Sequence, residues 1–132
     1  MSENFSIEIV NPEKSFLSKD DVSEVVVPAF EGEIGILKYH MPIISFLKPG
    51  IIRVFTESDE QHFFVEDGIV EFKDNSLSIL TSSIFNIKDS DKNYINNTIS
   101  ESEKELSNDE IDDQKKFLLN HKIEVLKSLS IN

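Results

Sequence analysis

From Phe5 to Thr81 the chain alternates apolar and polar positions in short runs. Phe5-Ser6-Ile7-Glu8-Ile9-Val10 sets Phe5, Ile7 and Ile9 on one face of a strand, because side chains along a strand point to opposite faces in turn. Asn11-Pro12 ends it. Residues 15–18 form a second candidate. Residues 22–27 form a third, carrying the β-branched run Val25-Val26-Val27 that suits a pleated, half-buried surface. Pro28 is expected to close this strand, since it cannot donate to a ladder. Residues 51–56, 62–66, 69–73 and 77–81 continue the pattern. The polar residues 57–60 make a hairpin connection, Asp67-Gly68 reads as a type I′ hairpin turn, and Asp74-Asn75 turns again. Strands of about five residues with turn signals every 8 to 12 predict a sandwich or barrel.

Residues 31–50 interrupt the alternation and hold three of the four glycines and two of the four prolines. Gly32 and Gly35 are spaced for backbone turns. Pro49-Gly50 is the pair expected at the centre of a type II turn. The stretch therefore reads as turns bracketing a short apolar segment, residues 43–47. Beyond Lys88 there is no glycine or proline, and the apolar spacing lengthens to three or four. A helix capped by Asp89 or Ser90 is predicted there, its stripe formed by Tyr94 or Ile95, Ile99 and Leu106 and broken by Ser102 and Glu103. Ser107-Asn108-Asp109 offers a turn of about three residues and a new cap. A second helix then follows, with Ile111, Leu118 or Leu119, Lys122 or Ile123, Leu126 and Leu129 on one face. The predicted architecture is mainly β with α. An N-terminal two-sheet β-sandwich of about 8 to 10 short strands fills residues 1–88, and a C-terminal two-helix antiparallel hairpin fills residues 89–132.

Charge narrows the possible partners. Thirteen basic and 25 acidic residues give a net charge of −12 over 132 residues. Nucleic-acid binding is disfavoured, because it needs clustered Lys and Arg to displace counterions from phosphates. Adsorption to anionic lipid is disfavoured for the same reason. The opening residues Met1 to Phe5 lack the basic and apolar regions of a signal peptide, and no run approaches the roughly 20 apolar residues of a membrane span. A soluble or peripheral protein without direct membrane insertion is expected. Cysteine is absent, which excludes disulfides and thiolate metal sites.

Catalytic motifs are missing. His40, His62 and His121 fall in three separate elements without ligand spacing, so no metal site is expected. Asp20-Asp21 and Asp112-Asp113 are sequence neighbours whose side chains diverge, unlike an acid/base dyad. No nucleophile elbow, Walker loop or dinucleotide fingerprint occurs, and Glu31-Gly32-Glu33-Ile34-Gly35 lacks the third glycine and the lysine used to cradle phosphates. The residues alone lead to a small acidic β-domain with a helical tail, an interaction module and not an enzyme.

The stretch from Glu31 to Ile52 resembles the signature of the ε subunit of F-type ATP synthases, called δ in mitochondria. The family pattern is an acidic-Gly-Glu-apolar-Gly-apolar-Leu segment, then Pro-Gly-His-Ala-Pro-apolar, then Leu-x-Pro-Gly-x-apolar. It is matched by Glu31-Gly32-Glu33-Ile34-Gly35-Ile36-Leu37, by His40 and Pro42, and by Leu47-Lys48-Pro49-Gly50-Ile51-Ile52. Lys38-Tyr39 stands where the family has Pro-Gly, and Asp67 replaces the first glycine of a Gly-Gly pair. The resemblance covers residues 3–88, and beyond them extends to the helical-hairpin architecture. It implies a non-catalytic rotor subunit of the central stalk, coupling proton flow through the c ring to ATP synthesis. The expected partners are the γ subunit, the c-subunit ring and, through the tail, the α/β catalytic hexamer. The expected place is the cytoplasmic face of a bacterial inner membrane. Glu31, Glu33, His40 and Pro42 are the implied contacts to the c ring and γ. Lys115, Lys116, Lys122 and Lys127 are the implied tail contacts, by which the hairpin could inhibit ATP hydrolysis. Some bacterial relatives carry Ile/Leu-Asp-x-x-Arg-Ala for binding ATP; Ser90-Asp91-Lys92-Asn93-Tyr94-Ile95 keeps only the Asp, so neither nucleotide nor other cofactor is expected. The competing reading is a stand-alone β-sandwich adaptor with no rotor role.

Overall fold

A computed structural model describes residues 4–130. Met1, Ser2 and Glu3, read above for a signal sequence, lie outside the described residues. Nine strands come first: β1 (Phe5–Asn11), β2 (Lys14–Ala29), β3 (Gly32–Leu37), β4 (Ile43–Leu47), β5 (Gly50–Thr56), β6 (Glu60–Val65), β7 (Gly68–Lys73), β8 (Ser76–Leu80) and β9 (Ile84–Asn86). A 3-10 turn (Ile87–Asp89) leads to helices α1 (Lys92–Leu106) and α2 (Asp113–Ser130). The chain divides into two units, Met1–Ile87 and Lys88–Asn132.

The first unit is a β-sandwich in which β2 belongs to both layers. Its first half pairs with β1, and the order continues through β8 and β7 to β4. Its second half pairs with β3 on one side and β5 on the other, and β6 and β9 follow β5. A register shift between Val22 and Glu24 lies where the strand passes from one set of partners to the other, in keeping with the bending that bulges produce. The inward faces supply one apolar core. Phe5, Ile7, Ile9, Leu47, Val70, Phe72, Leu77 and Ile79 meet Val25, Val27, Ile52, Val54, Phe63 and Val65 there. Phe5 meets Phe72 edge to face at 5.5 Å, and Phe16 meets Phe63 at 5.6 Å. Burying each such side chain stabilises the unit by roughly 1.5–3 kcal/mol.

Four local expectations fail for physical reasons. Residues 15–18 and 22–27 belong to a single 16-residue strand. Pro28 remains inside it because only its carbonyl is needed, accepting from Lys48 N–H at 3.0 Å. The stretch 31–50 holds two strands, β3 and β4, so Gly35 lies in mid-strand opposite Val26. Pro49-Gly50 is no type II turn, because positive φ occurs at Gly32 and Gly68 and not at Gly50. Gly50 is required for space, since a Cβ there would lie 2.6 Å from Cβ of Pro28.

Nor is Asp67-Gly68 a hairpin. β6 pairs with β5 and β9, and β7 with β4 and β8, so the dipeptide carries the chain between layers. A Cβ on Gly68 would stand 2.7 Å from the Leu80 carbonyl. Buried Thr81 ties this crossing down, its hydroxyl donating to the Asp67 carbonyl at 2.6 Å. The type I′ hairpin lies at Asp74-Asn75, with φ of 52° and 58° between paired Lys73 and Ser76.

In the second unit, α1 buries Ile95, Ile99 and Ser102, and α2 buries Leu119, Ile123 and Leu126. Ser102 continues the α1 stripe instead of breaking it, because its hydroxyl donates to the Thr98 carbonyl at 2.8 Å and leaves no polar hydrogen unpaired. Tyr94 is exposed. The α1 cap is Asp91, accepting from Tyr94 N–H at 2.7 Å. Asp112 accepts in the same way from Lys115 N–H at 2.8 Å. Both caps fall later than the sequence reading set them, and the connection, residues 107–112, is longer than the three residues expected.

Candidate functional site

Of the four sandwich residues singled out from the sequence, only Glu33 lies within a strand, and Glu31, His40 and Pro42 lie in the connections on either side of it. They are strung along β3, whose ladder is with β2 alone, and along the turns at its two ends. Glu31 lies in the turn before Gly32 and accepts from the Ser45 hydroxyl at 2.7 Å. Glu33 is in β3 opposite Pro28 and forms an ion pair with Arg53 at 2.9 Å. His40 and Pro42 follow the far end of the strand. About 3.3 Å per residue therefore separates the Glu31 and His40 ends by some 17 Å. The His40 ring packs edge to face on Phe72 at 6.0 Å, with its Nδ1 2.8 Å from the Met41 carbonyl oxygen.

The turn before His40 keeps a glycine-like geometry without glycine. His40 N–H donates to the Leu37 carbonyl at 3.0 Å. Tyr39 has φ of 70°, the positive value that a type II turn needs at its third residue. The Asn75 side-chain oxygen takes the Tyr39 N–H at 2.7 Å, joining this turn to the Asp74-Asn75 hairpin.

The periodicity did not bring out a second surface. Outward positions of the first layer are in direct register across three ladders: Phe46 opposite Ile69, Ile69 opposite Leu80, and Leu80 opposite Val10. The result is an apolar row across β4, β7, β8 and β1, with Ile44 (70% exposed) beside it and Phe46 itself 60% exposed. Phe30 and Pro12 join Phe46, Ile69 and Leu80 in lining a groove of about 450 Å³. The neighbouring row is polar and acidic, Glu71 opposite Ser78 and Ser78 opposite Glu8. One sign was present in the sequence: Ile43-Ile44-Ser45-Phe46-Leu47 is apolar on both faces, where a strand with one wet face would alternate.

On the tail, Lys115 pairs with Glu105 at 3.3 Å and Lys127 with Glu103 at 3.6 Å. Lys116 and Lys122 are half-buried on α2. The Asp that matches the nucleotide-binding pattern, Asp91, is occupied as the α1 cap. Among the described residues, no group of three or more His, Asp or Glu side chains is placed to hold a metal ion. No helix among them is long and apolar enough to cross a membrane.

A two-layer sandwich followed by two helices is the architecture of a known class. The model of the ATP synthase delta/epsilon chain β-sandwich domain matches residues 4–87, more than half of the chain. The chain belongs to this family. It is 72% identical over 100 residues to the ATP synthase epsilon chain of Pelagibacter ubique, covering 76% of this chain and 77% of that one. It is 33% identical over 96 residues to the epsilon chain of Rhodopseudomonas palustris, covering 73% and 70%. Among solved structures, a chain of the Euglena gracilis mitochondrial ATP synthase (OSCP/F1/c-ring) superposes with a TM-score of 0.75 at 17% identity, covering 99% of this chain and 82% of that one. A chain of the Tetrahymena thermophila mitochondrial ATP synthase (central stalk/c-ring) gives 0.67 at 14% identity, covering 98% of each. At such identities the structural likeness speaks for the fold.

Proposed function

We propose that the chain is a non-catalytic rotor subunit of an ATP synthase, linking the γ subunit to the c ring at the cytoplasmic face of a bacterial inner membrane. The observation that carries this reading is the apolar row of exposed Phe46, Ile69 and Leu80 with half-buried Val10. A contiguous apolar surface bordered by acidic residues is suited to a permanent partner with an apolar strip and basic flanks. γ takes that place. The edge strand β3, with Glu31 and Glu33 toward one end and His40 and Pro42 past the other, faces the c ring. Glu33 meets that partner together with Arg53, to which it is already paired.

The tail regulates hydrolysis, with Lys115, Lys116, Lys122 and Lys127 meeting acidic groups of the α/β hexamer. The pairs Lys115–Glu105 and Lys127–Glu103 do not lock these lysines in place. Exposed pairs are worth roughly 0–1 kcal/mol each, so exchanging them for intermolecular ones costs little.

The test is recovery of a tagged chain from its native membranes, wild type beside Phe46→Asp. The wild type should bring down γ, α, β and the c ring. A charge in the apolar row should cost at least about 2 kcal/mol of binding, near 30-fold. Recovery of the same subunits by both proteins would remove the row from the interface, and recovery by neither would sink the rotor reading. Removing residues 89–132 should leave assembly intact and raise ATP hydrolysis; an unchanged rate would rule out inhibition by the tail.

A further inference from the structure

Tyr39 is the least economical residue of the sandwich surface. It holds φ of 70°, a left-handed backbone that bulky side chains seldom adopt because Cβ crowds the neighbouring carbonyl. Its side chain, 72% exposed, gains little burial in return. Glycine would satisfy the turn without strain, and asparagine nearly so. The turn is nevertheless firmly held. Asn75 accepts the Tyr39 N–H, His40 closes the turn onto Leu37, and the Lys38 ammonium stands 5.2 Å from the centre of the Tyr39 ring. Leu37 and Met41 on either side are also exposed. The held backbone of the turn thus presents an exposed phenol with an ammonium over its ring, flanked by two apolar side chains. Sparsely populated backbone conformations persist where the surroundings enforce them, and they gather at binding sites. Rigid aromatics lose little conformational freedom on binding and dominate interface energetics.

We propose that Tyr39, with Lys38, is a fixed anchor of this chain on the c ring, and that the fold tolerates the strained turn for that contact. The phenol packs on the ring's surface, and the Lys38 ammonium meets carbonyl or carboxylate oxygens there, giving an acidic chain a local positive point at the contact. The proposal rests on the rotor reading and adds to it a residue that lowers stability and strengthens attachment.

The experiment uses the whole chain, free and in complex. Tyr39→Gly should raise the thermal midpoint of the free chain by about 4 °C, the shift that relief of modest strain produces in a unit of this size. In detergent-purified complexes the same variant should leave the c ring at least about fivefold faster than wild type, and pump fewer protons per ATP hydrolysed. Tyr39→Asn, which tolerates the left-handed turn but lacks the ring, should show the same loss of attachment. A more stable Tyr39→Gly chain that stays attached and pumps normally would overturn the anchor. So would a Tyr39→Gly chain that is no more stable than wild type, because the turn would then carry no strain. If the wild-type chain itself recovers no ring, the rotor reading fails instead, and the two failures are told apart.

Discussion

The sandwich and the helical unit share one chain and solve burial in opposite ways. The sandwich closes two layers on a core rich in fully buried Ile, Val, Phe and Leu, held by ladders between residues distant in sequence. Among its described residues the helical unit has five buried apolar side chains and one buried serine across two helices of 15 and 18 residues. Short helices are marginal without packing partners. The sandwich therefore suits a permanent mechanical role, and the helical unit suits a role that requires change. Low local stability is the usual property of elements that move.

Paired core truncations test this contrast most severely. Phe72→Ala should cost about 3–5 kcal/mol and lower the denaturant midpoint of the sandwich, because Phe72 is buried against Phe5 and His40. Leu126→Ala should instead remove helical circular dichroism and leave the sandwich transition in place. If Leu126→Ala lowers that transition as much as Phe72→Ala, the units share one cooperative core and the contrast breaks. A smaller effect is expected from Gly68→Ala, which pushes a methyl to 2.7 Å from the Leu80 carbonyl. About 1–3 kcal/mol should be lost as the crossing shifts, with amides of β7 and β8 exchanging faster. Unchanged exchange there would show that the crossing gives way freely. The smallest is Asp91→Ala, which leaves the Tyr94 N–H without its acceptor and should cost about 1 kcal/mol. Faster amide exchange confined to the first turns of α1 is the expected signature, and a uniform change across the sandwich would contradict it.

What could be read from the sequence divides along the same line. Period two in residues 5–10 and 77–81 identified inward positions, and Phe5, Ile7, Ile9, Leu77 and Ile79 are buried. Helical spacing located both helices. Features that depend on residues far away in the chain were not visible. Gly50 and Gly68 are needed because Pro28 and Leu80 approach them from other strands. β2 looked like two strands because its ends serve different partners. The apolar row takes one residue from each of four strands, so no window of sequence contains it. Glu31, Glu33, His40 and Pro42 were singled out through a resemblance, and the fold sets Glu33 in the edge strand β3 with Glu31 before it and His40 and Pro42 after it.

The long strand β2 has a further consequence. In a sandwich held only by side-chain packing, a sideways force on one layer reaches the other through contacts that can slide. Here, 16 residues of continuous backbone pass from one layer into the other, with hydrogen bonds to neighbours at each end. A twist applied at β1 reaches β5 through the ladders at the two parts of β2 and the covalent backbone between them, which scarcely stretches. Such a part loses little angle under load, and what it receives from one neighbour it can deliver to the next almost without delay.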